Sequence, residues 1–158
     1  AQLDRFLLHI RVDYPDEAEE RAILVQTTGS ATPVIEPVME GAEVLALQAL
    51  VREVHLGEDL LAWIVRLVRA TRPQQGGSAS VREALRWGAG PRAGQALVLA
   101  AKARALLHGR LAATRVDLKA LAAPVLRHRL LLSFSAEAAG RSTDAVIAEL
   151  LAAVPFPA

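Results

Sequence analysis

Apolar residues recur along most of this chain at the three- and four-residue spacing of amphipathic helices. Val44, Leu47, Leu50 and Val51 form one such stripe. Helix starts are marked by Asp16 with Glu19, by the run Ser80-Val81-Arg82-Glu83 and by Thr114 with Asp117, and the helix ends by glycine or proline. The stretch at about 30–41, with Pro33, Pro37 and Gly41, is predicted to be a loop. The predicted helices are about 16–28, 43–54, 58–72, 80–87, 91–108, 114–123 and 143–153, with a further helical turn at 125–129 after Pro124.

Only two segments have the pattern of a strand. Phe6–Val12 is apolar on both faces, which is typical of a strand in the middle of a covered sheet. Leu130–Phe134 is a second, shorter candidate. Nothing else in the chain offers several partners for the first strand, and the sequence does not begin with Met. We therefore expect the chain to be a piece of a longer protein.

The composition supports a mainly helical fold. Hydrophobic residues make up 53% of the 158 residues, and they are mostly Leu, Ala and Val rather than aromatic residues. The net charge of +1 gives no reason to expect nucleic-acid binding. The absence of cysteine excludes disulfides and is compatible with the cytoplasm. No apolar run approaches ~18 residues, so we expect no membrane span.

The segment Gly88–Gly94 contains an arginine at an unusual position. Pro91 suits the first position of a helix, so Arg92 falls in the first turn, where the helix dipole favours negative charge. A bound anion would remove this mismatch, because the free N–H groups and the guanidinium would face the same phosphate. The spacing alone favours a simpler interpretation, a Gly-Pro turn followed by a solvated arginine.

Other chemical motifs are missing from the sequence. It contains no phosphate loop of the G-x-x-x-x-G-K-[ST] type and no nucleophile elbow. The four histidines are too scattered for a helical metal pair, so no metal site is predicted. Trp63 is predicted to be a core residue, and Trp87 is predicted to pack against the glycine-containing turn that follows it.

Several ordered segments together resemble the C-terminal part of a MoxR-family AAA+ ATPase. They begin with Gln2–Phe6 and Tyr14-Pro15 and continue through Val54–Leu56 and Ala70–Arg72. The later ones are Gly88–Ala93, Ala105–Leu107 with Gly109-Arg110, Val116–Leu118 and Pro124–Arg129. The resemblance implies a helical AAA+ lid bundle with one or two short strands, preceded by the last strand of an α/β P-loop domain. The implied domains are residues 1–14, the end of the α/β domain, and residues 15–158, the lid.

The resemblance also implies roles for individual residues. Arg92 matches the lid arginine called sensor 2, which reaches the nucleotide phosphates, and Gly90 and Pro91 belong to the same nucleotide-binding segment. The family usually has Ser at the position of Gly90; glycine is tolerated at a helix N-cap at a cost of a few tenths of a kcal/mol. Arg5 matches the arginine of the family's L-D-R-F segment and resembles a finger that enters the neighbouring subunit's site.

We therefore expect the complete protein to be a cytoplasmic ATPase that binds ATP or ADP with Mg²⁺ and forms a hexameric ring. Family resemblance implies chaperone-like maturation of partners, including proteins with von Willebrand A domains. The 158-residue chain lacks the Walker A and B motifs, so by itself it should be inactive and hold no cofactor. The alternative is a non-catalytic helical adaptor that binds an acidic partner. The basic trio Arg127-His128-Arg129 either caps a helix end or packs the lid against a neighbour.

Overall fold

A computed structural model describes residues 2–30 and 34–156. Within these ranges, a 3-10 turn at Leu3–Arg5 precedes eight α-helices and a two-stranded antiparallel sheet. Residues 31–33 of the predicted loop lie outside the described residues. The elements are α1 (Glu17–Thr28), α2 (Gly41–Glu53), α3 (Glu58–Ala70), α4 (Ala79–Ala84), β1 (Leu85–Trp87), α5 (Pro91–Leu107), α6 (Arg115–Leu126), β2 (Leu131–Leu132), α7 (Phe134–Ala138) and α8 (Thr143–Ala153).

The core lies between α3, α5, α6 and α8. Helix α5 packs against α2, α3 and α6, and α8 packs against α3 and α6. Alanines on α5 let the neighbouring helices approach closely, while Trp63 of α3 is fully buried and donates its indole N–H to Val154 O. The predicted core position of Trp63 is therefore confirmed, and the mainly helical fold class is confirmed with it.

Helix α1 lies outside this core, whereas α2 packs against α5 at its edge. Neither buries a residue, and Val44, Leu47 and Leu50 of the predicted α2 stripe are all more than 40% exposed. The predicted start of α1 is confirmed, because Asp16 Oδ1 accepts a hydrogen bond from Glu19 N and Glu19 Oε2 accepts one from Asp16 N. Helix α2 begins at Gly41 rather than at Glu43.

The predicted strand at Phe6–Val12 is not formed among the described residues. Phe6, Ile10 and Val12 are exposed, and the backbone of the segment bonds the end of α6 instead of a neighbouring strand. His9 N, for example, donates to Pro124 O at 2.8 Å. A strand needs a partner along its length, and no other extended segment lies beside this one in the described ranges.

The predicted helix at 80–87 is also partly wrong. Helix α4 is capped by Ser78, whose hydroxyl accepts from Val81 N, while Ser80 bonds Glu149 instead. The helix ends at Ala84, because the next three residues pair with β2 as a strand. The same pairing confirms a short strand within the predicted range 130–134.

The position of Pro124 in the helical structure also differs from the sequence prediction. This proline lies inside α6 instead of starting a new turn, and its free carbonyl accepts the hydrogen bond from His9. The short helix α7 was not predicted.

The turn between β1 and α5 is fixed on the end of α3. A Cβ on Gly88 would lie 2.2 Å from Thr71 O, so only glycine fits there. The buried Thr71 hydroxyl accepts from Ala89 N at 2.9 Å and donates to Val68 O, and Arg72 Nε donates to Ala89 O. These contacts set the direction in which α5 begins.

The far end of α5 is held by a buried carboxylate. Asp117 is fully buried, and it accepts hydrogen bonds from Arg104 and Arg110 and from the backbone and hydroxyl of Thr114. The hydrogen bonds from Arg110 are the main reason that the pKa of Asp117 lies well below its usual range. This network joins the C-terminus of α5 to the N-terminus of α6.

Substituting Asp117 should make the fold less sensitive to acid. In wild type the folded pKa of Asp117 is below its unfolded value of ~3.9, so protons bind first to the unfolded chain, and stability falls as the pH drops below about 5. We expect Asp117→Asn to cost about 1.5–3 kcal/mol at neutral pH but to lose less on acidification. Urea unfolding at neutral and acidic pH measures this. Asp144 and Glu149 also have lowered pKa values, so they make both wild type and Asp117→Asn sensitive to acid. If the free energy of unfolding fell equally with pH in the two proteins, the assignment to Asp117 would be contradicted.

Two neighbouring glycines should respond differently to the same substitution. Gly88→Ala places a methyl group against the backbone of Thr71 and should destabilise the chain by about 1–3 kcal/mol. Gly90→Ala meets nothing within 4 Å and is the matched control, with a small effect. Gly90→Ser should stabilise α5 by a few tenths of a kcal/mol as an N-cap. Thermal unfolding of the three variants tests the packing of this turn. Equal melting temperatures for Gly88→Ala and Gly90→Ala would contradict the close contact between Gly88 and Thr71.

Candidate functional site

The N-terminus of α5 presents Arg92 to solvent. Gly90 is the N-cap in an extended conformation, and Pro91 occupies the first helical position. The first turn contains no acidic residue, and no side-chain cap bonds its N–H groups. Arg92 is exposed, and among the described residues no hydrogen bond or ion pair engages its guanidinium. The start of the helix therefore combines a positive dipole end with an unpaired cation.

Arg5 reaches the same place from the other end of the sequence. It ends the 3-10 turn Leu3–Arg5, which packs against α5, and its side chain is exposed and unpaired among the residues described. A cleft of about 580 Å³ lies between this turn, the β1–α5 turn and the end of α6. Arg5, Gly90 and Arg92 all line it, so three of the four predicted site residues come together. Pro91 lines two neighbouring pockets instead.

The cleft is positively charged. Its lining carries Arg5, Arg92 and Arg129, and the one carboxylate in the lining, Asp4, is paired with Arg129 at 3.0 Å. The two arginines without a partner are thus free to bind an anion. A phosphate group suits them, because guanidinium groups and helix N-terminal N–H groups are its usual ligands.

Trp87 lies on the rim of this cleft with 67% of its surface exposed. The sequence prediction had it packing against the turn, and the structure contradicts that prediction. The indole is exposed because Trp87 follows the buried Leu85 on β1 by two residues and the pairing with β2 is irregular between them. An exposed indole beside two arginines is a platform for a planar or cationic group.

The basic trio Arg127-His128-Arg129 bonds residues 4–9, and its last two members line the cleft. Burial is the main reason that the pKa of His128 lies below its usual value, which favours the neutral ring. The ring nitrogen Nε2 lies 3.1 Å from Phe6 O, so the neutral tautomer that donates from Nε2 fits. The sequence marked these residues as cations at a helix end but gave no signal for their partners more than a hundred residues away.

The described residues provide no metal site. No group of three or more His, Cys, Asp or Glu side chains within 2–30 and 34–156 could hold a metal ion. The cleft therefore presents cations suited to an anion, and the described residues add no cluster of metal ligands to it. Separately, no helix in the described part of the chain is long and apolar enough to cross a membrane.

Comparison with known proteins agrees with this architecture. Residues 77–150 match the model of the AAA lid domain. The chain is 36% identical to the chaperone MoxR1 of Mycobacterium tuberculosis, in an alignment that includes 99% of this chain and 42% of that protein. It is 33% identical to the protein MoxR of Paracoccus denitrificans, over all of this chain and 50% of that one.

A solved structure extends the likeness to three dimensions. The crystal structure of a candidate ATPase from Cytophaga hutchinsonii superposes with a TM-score of 0.90 at 30% identity, over 99% of this chain and 48% of that protein. The chain thus spans about half the length of the relatives it matches. The chain is therefore similar over nearly its whole length to MoxR proteins and to a candidate ATPase, and its residues 77–150 match the AAA lid domain.

Proposed function

We propose that this chain is the nucleotide-sensing lid segment of an ATPase that remodels partner proteins. The observation that carries the proposal is the start of α5, where Arg92 is exposed and unpaired among the described residues and no acidic residue or side-chain cap occupies the first turn. In this proposal a phosphate loop and the Mg²⁺ ligands belong to a part of the protein outside this chain. ATP or ADP would lie between that part and the lid.

Arg92 is the residue that we propose contacts the nucleotide of its own subunit. As phosphoryl transfer proceeds, negative charge spreads over the γ-phosphate oxygens, and a positioned guanidinium stabilises that charge. No side chain caps the first turn of α5, so the N–H of Arg92 is left for the same oxygens, and Pro91 fixes the backbone at the first position. Rotation of the lid between nucleotide states would transmit hydrolysis to the partner.

Arg5 is the residue that we propose acts on the neighbouring subunit. An arginine supplied by a neighbour offsets the same transition-state charge and makes hydrolysis depend on ring assembly. A ring of six subunits in the cytoplasm, acting on proteins with von Willebrand A domains, is the corresponding proposal for assembly and partners. The similarity to the chaperone MoxR1 supports the remodelling role.

The adaptor alternative needs no nucleotide. The exposed apolar residues of α1 and α2 favour it, because Ile23, Leu24, Leu45 and Leu50 would suit a protein partner. The coding sequence upstream of residue 1 separates the two functions. A phosphate loop there supports the ATPase, and its absence from the whole gene supports the adaptor.

Arg92→Ala in the complete protein should lower ATP turnover by about 100-fold or more, because a positioned cation for the transition state is lost. Arg86→Ala is the matched control, since Arg86 is also exposed on the element before α5 but does not line the cleft. A steady-state phosphate-release assay compares the two. Unchanged turnover in Arg92→Ala would remove the sensor role, and so would substantial hydrolysis by the 158-residue chain alone.

Arg5→Ala should impair the neighbour's site rather than its own. Subunits that carry Arg5→Ala with an intact phosphate loop should regain ATP turnover when mixed with subunits that have a dead phosphate loop and an intact Arg5. Mixing the same subunits with a double variant, dead in the phosphate loop and Arg5→Ala, is the control. Equal turnover in the two mixtures would exclude a finger acting between subunits.

A further inference from the structure

The segment that carries Arg5 is tied to the end of α6 by three consecutive side chains. We call Arg127, His128 and Arg129 the α6 tether. They bond the carbonyls or carboxylate of residues that lie at the opposite end of the sequence. Long-range contacts of this kind fix one segment on another where no secondary structure joins them.

Arg129 is the centre of the tether. Its side chain is only 2% exposed, and each of its three nitrogens donates a hydrogen bond. Nε donates to Asp4 Oδ1 at 3.0 Å, Nη2 donates to Asp4 O and to Phe6 O at 2.7 Å, and Nη1 donates to Leu7 O and to Val125 O. The guanidinium therefore bonds the residues on both sides of Arg5 and leaves Arg5 itself exposed.

The other two members extend the tether along the same segment. Nε2 of His128 bonds Phe6 O, and Arg127 Nη1 donates to His9 O at 2.8 Å. Arg127 is in turn held by Asp144 of α8, to which it donates from Nε and Nη2. Arg11 pairs with the same carboxylate at 3.2 Å. The segment is thus fixed on α6 and α8 at several points.

We propose that Arg129 is a positioning residue that joins the Arg5 segment to the lid, so that Arg5 and Arg92 move as one body. This inference rests on the proposed function of the two arginines and goes beyond it. When the lid closes on a nucleotide through Arg92, the tether carries that movement to Arg5 and so to the next subunit. The state of one site would then set the geometry of its neighbour's site.

Two further observations support the proposal. The likeness to the Cytophaga hutchinsonii protein includes 99% of this chain, and therefore the segment as well as the lid. Besides the tether, residues 3–9 are held by the packing of the 3-10 turn against α5, by the partly buried Leu8 against the core and by His9 N, which donates to Pro124 O. None of these contacts is a long-range hydrogen bond to Asp4 or Phe6, so loss of Arg129 should loosen the part of the segment around Arg5 without opening the core between α3, α5 and α8.

The first test measures position and needs no ATP hydrolysis. The chain has no cysteine, so Arg5→Cys and Ala148→Cys, the latter on the exposed side of α8, introduce two unique sites for nitroxide labels. Double electron–electron resonance should give a narrow distance distribution for the labelled chain and a broad one after Arg129→Gln. Arg141→Gln, which removes an ion pair with Glu149 far from the segment, is the matched control and should keep the narrow distribution.

A variant outside the lid guards against misfolding. Asp4→Ala removes the carboxylate bonded by Arg129 but leaves all eight helices of the described residues unaltered, and it should broaden the same distribution. Circular dichroism verifies that each variant keeps its helix content. A narrow distribution in both folded variants would overturn the proposal. If Arg129→Gln does not fold, the result for Asp4→Ala decides.

The second test distinguishes the subunit that supplies Arg5 from the subunit whose ATP site receives it. In the complete protein, subunits with a dead phosphate loop and Arg129→Gln serve only as donors of Arg5, and they are mixed with Arg5→Ala subunits. Rescue of ATP turnover should fall about tenfold or more relative to donors with Arg129 intact, because a small displacement of a reacting group costs much of its effect. Subunits with Arg129→Gln and an intact phosphate loop, mixed with wild-type donors, report the acceptor side, where turnover should fall less than donor rescue does.

The outcomes of the two tests are distinguishable. Normal rescue by Arg129→Gln donors would overturn the coupling even if the segment loosens. Failure of rescue by donors with Arg129 intact would instead refute the finger role of Arg5, and the distance measurement would then decide the tether alone. Loss of both donor and acceptor function in a folded Arg129→Gln ring would show a general structural role and would also overturn the proposal.

Discussion

The close approach of Gly88 to the end of α3 determines where the candidate site lies. The turn from β1 to α5 crosses the backbone of Thr71 at a distance that admits no side chain, and the buried Thr71 hydroxyl satisfies the N–H of Ala89. A buried N–H without such a partner would be costly, so this crossing has one stable arrangement. Because the turn is fixed, the N-terminus of α5 and Arg92 point into the cleft instead of away from it.

The second half of the cleft depends on arginine chemistry. A single guanidinium at Arg129 satisfies carbonyls at four residues and one carboxylate, which a lysine with its three donors on one atom could not do in the same geometry. At the other end of α5 one acceptor group has several donors, because the Asp117 carboxylate accepts hydrogen bonds from two arginines. With 16 arginines and two lysines, the chain has the side chains that such connections need. The cleft is thus assembled from a packed turn on one side and a polar tether on the other.

Local signals in the sequence were sufficient for part of this structure. The capping pair Asp16 and Glu19, the start of α5 at Pro91 and the burial of Trp63 were predicted correctly, because each depends on residues close together in sequence or on strong apolar periodicity. The predicted strand at Phe6–Val12 failed for the opposite reason. Its apolar pattern describes a preference, but a strand also requires a partner, and here α6 side chains take that place. The end of α4 and the exposure of Trp87 were likewise decided by pairing with β2, which is distant in sequence.

The candidate site, too, was predictable from the sequence only where it depends on neighbouring residues. The position of Arg92 in a first helical turn followed from Pro91, whereas the meeting of Arg5 with Arg92 joins residues 87 positions apart and needed the fold. The roles of both arginines remain predictions based on family resemblance. The most direct measurement is a structure of the complete protein with a non-hydrolysable ATP analogue. The account predicts Arg92 within hydrogen-bond distance of a phosphate oxygen and Asp4 still bonded to Arg129. A bound nucleotide with Arg92 directed to solvent, or with residues 4–9 detached from α6, would contradict it.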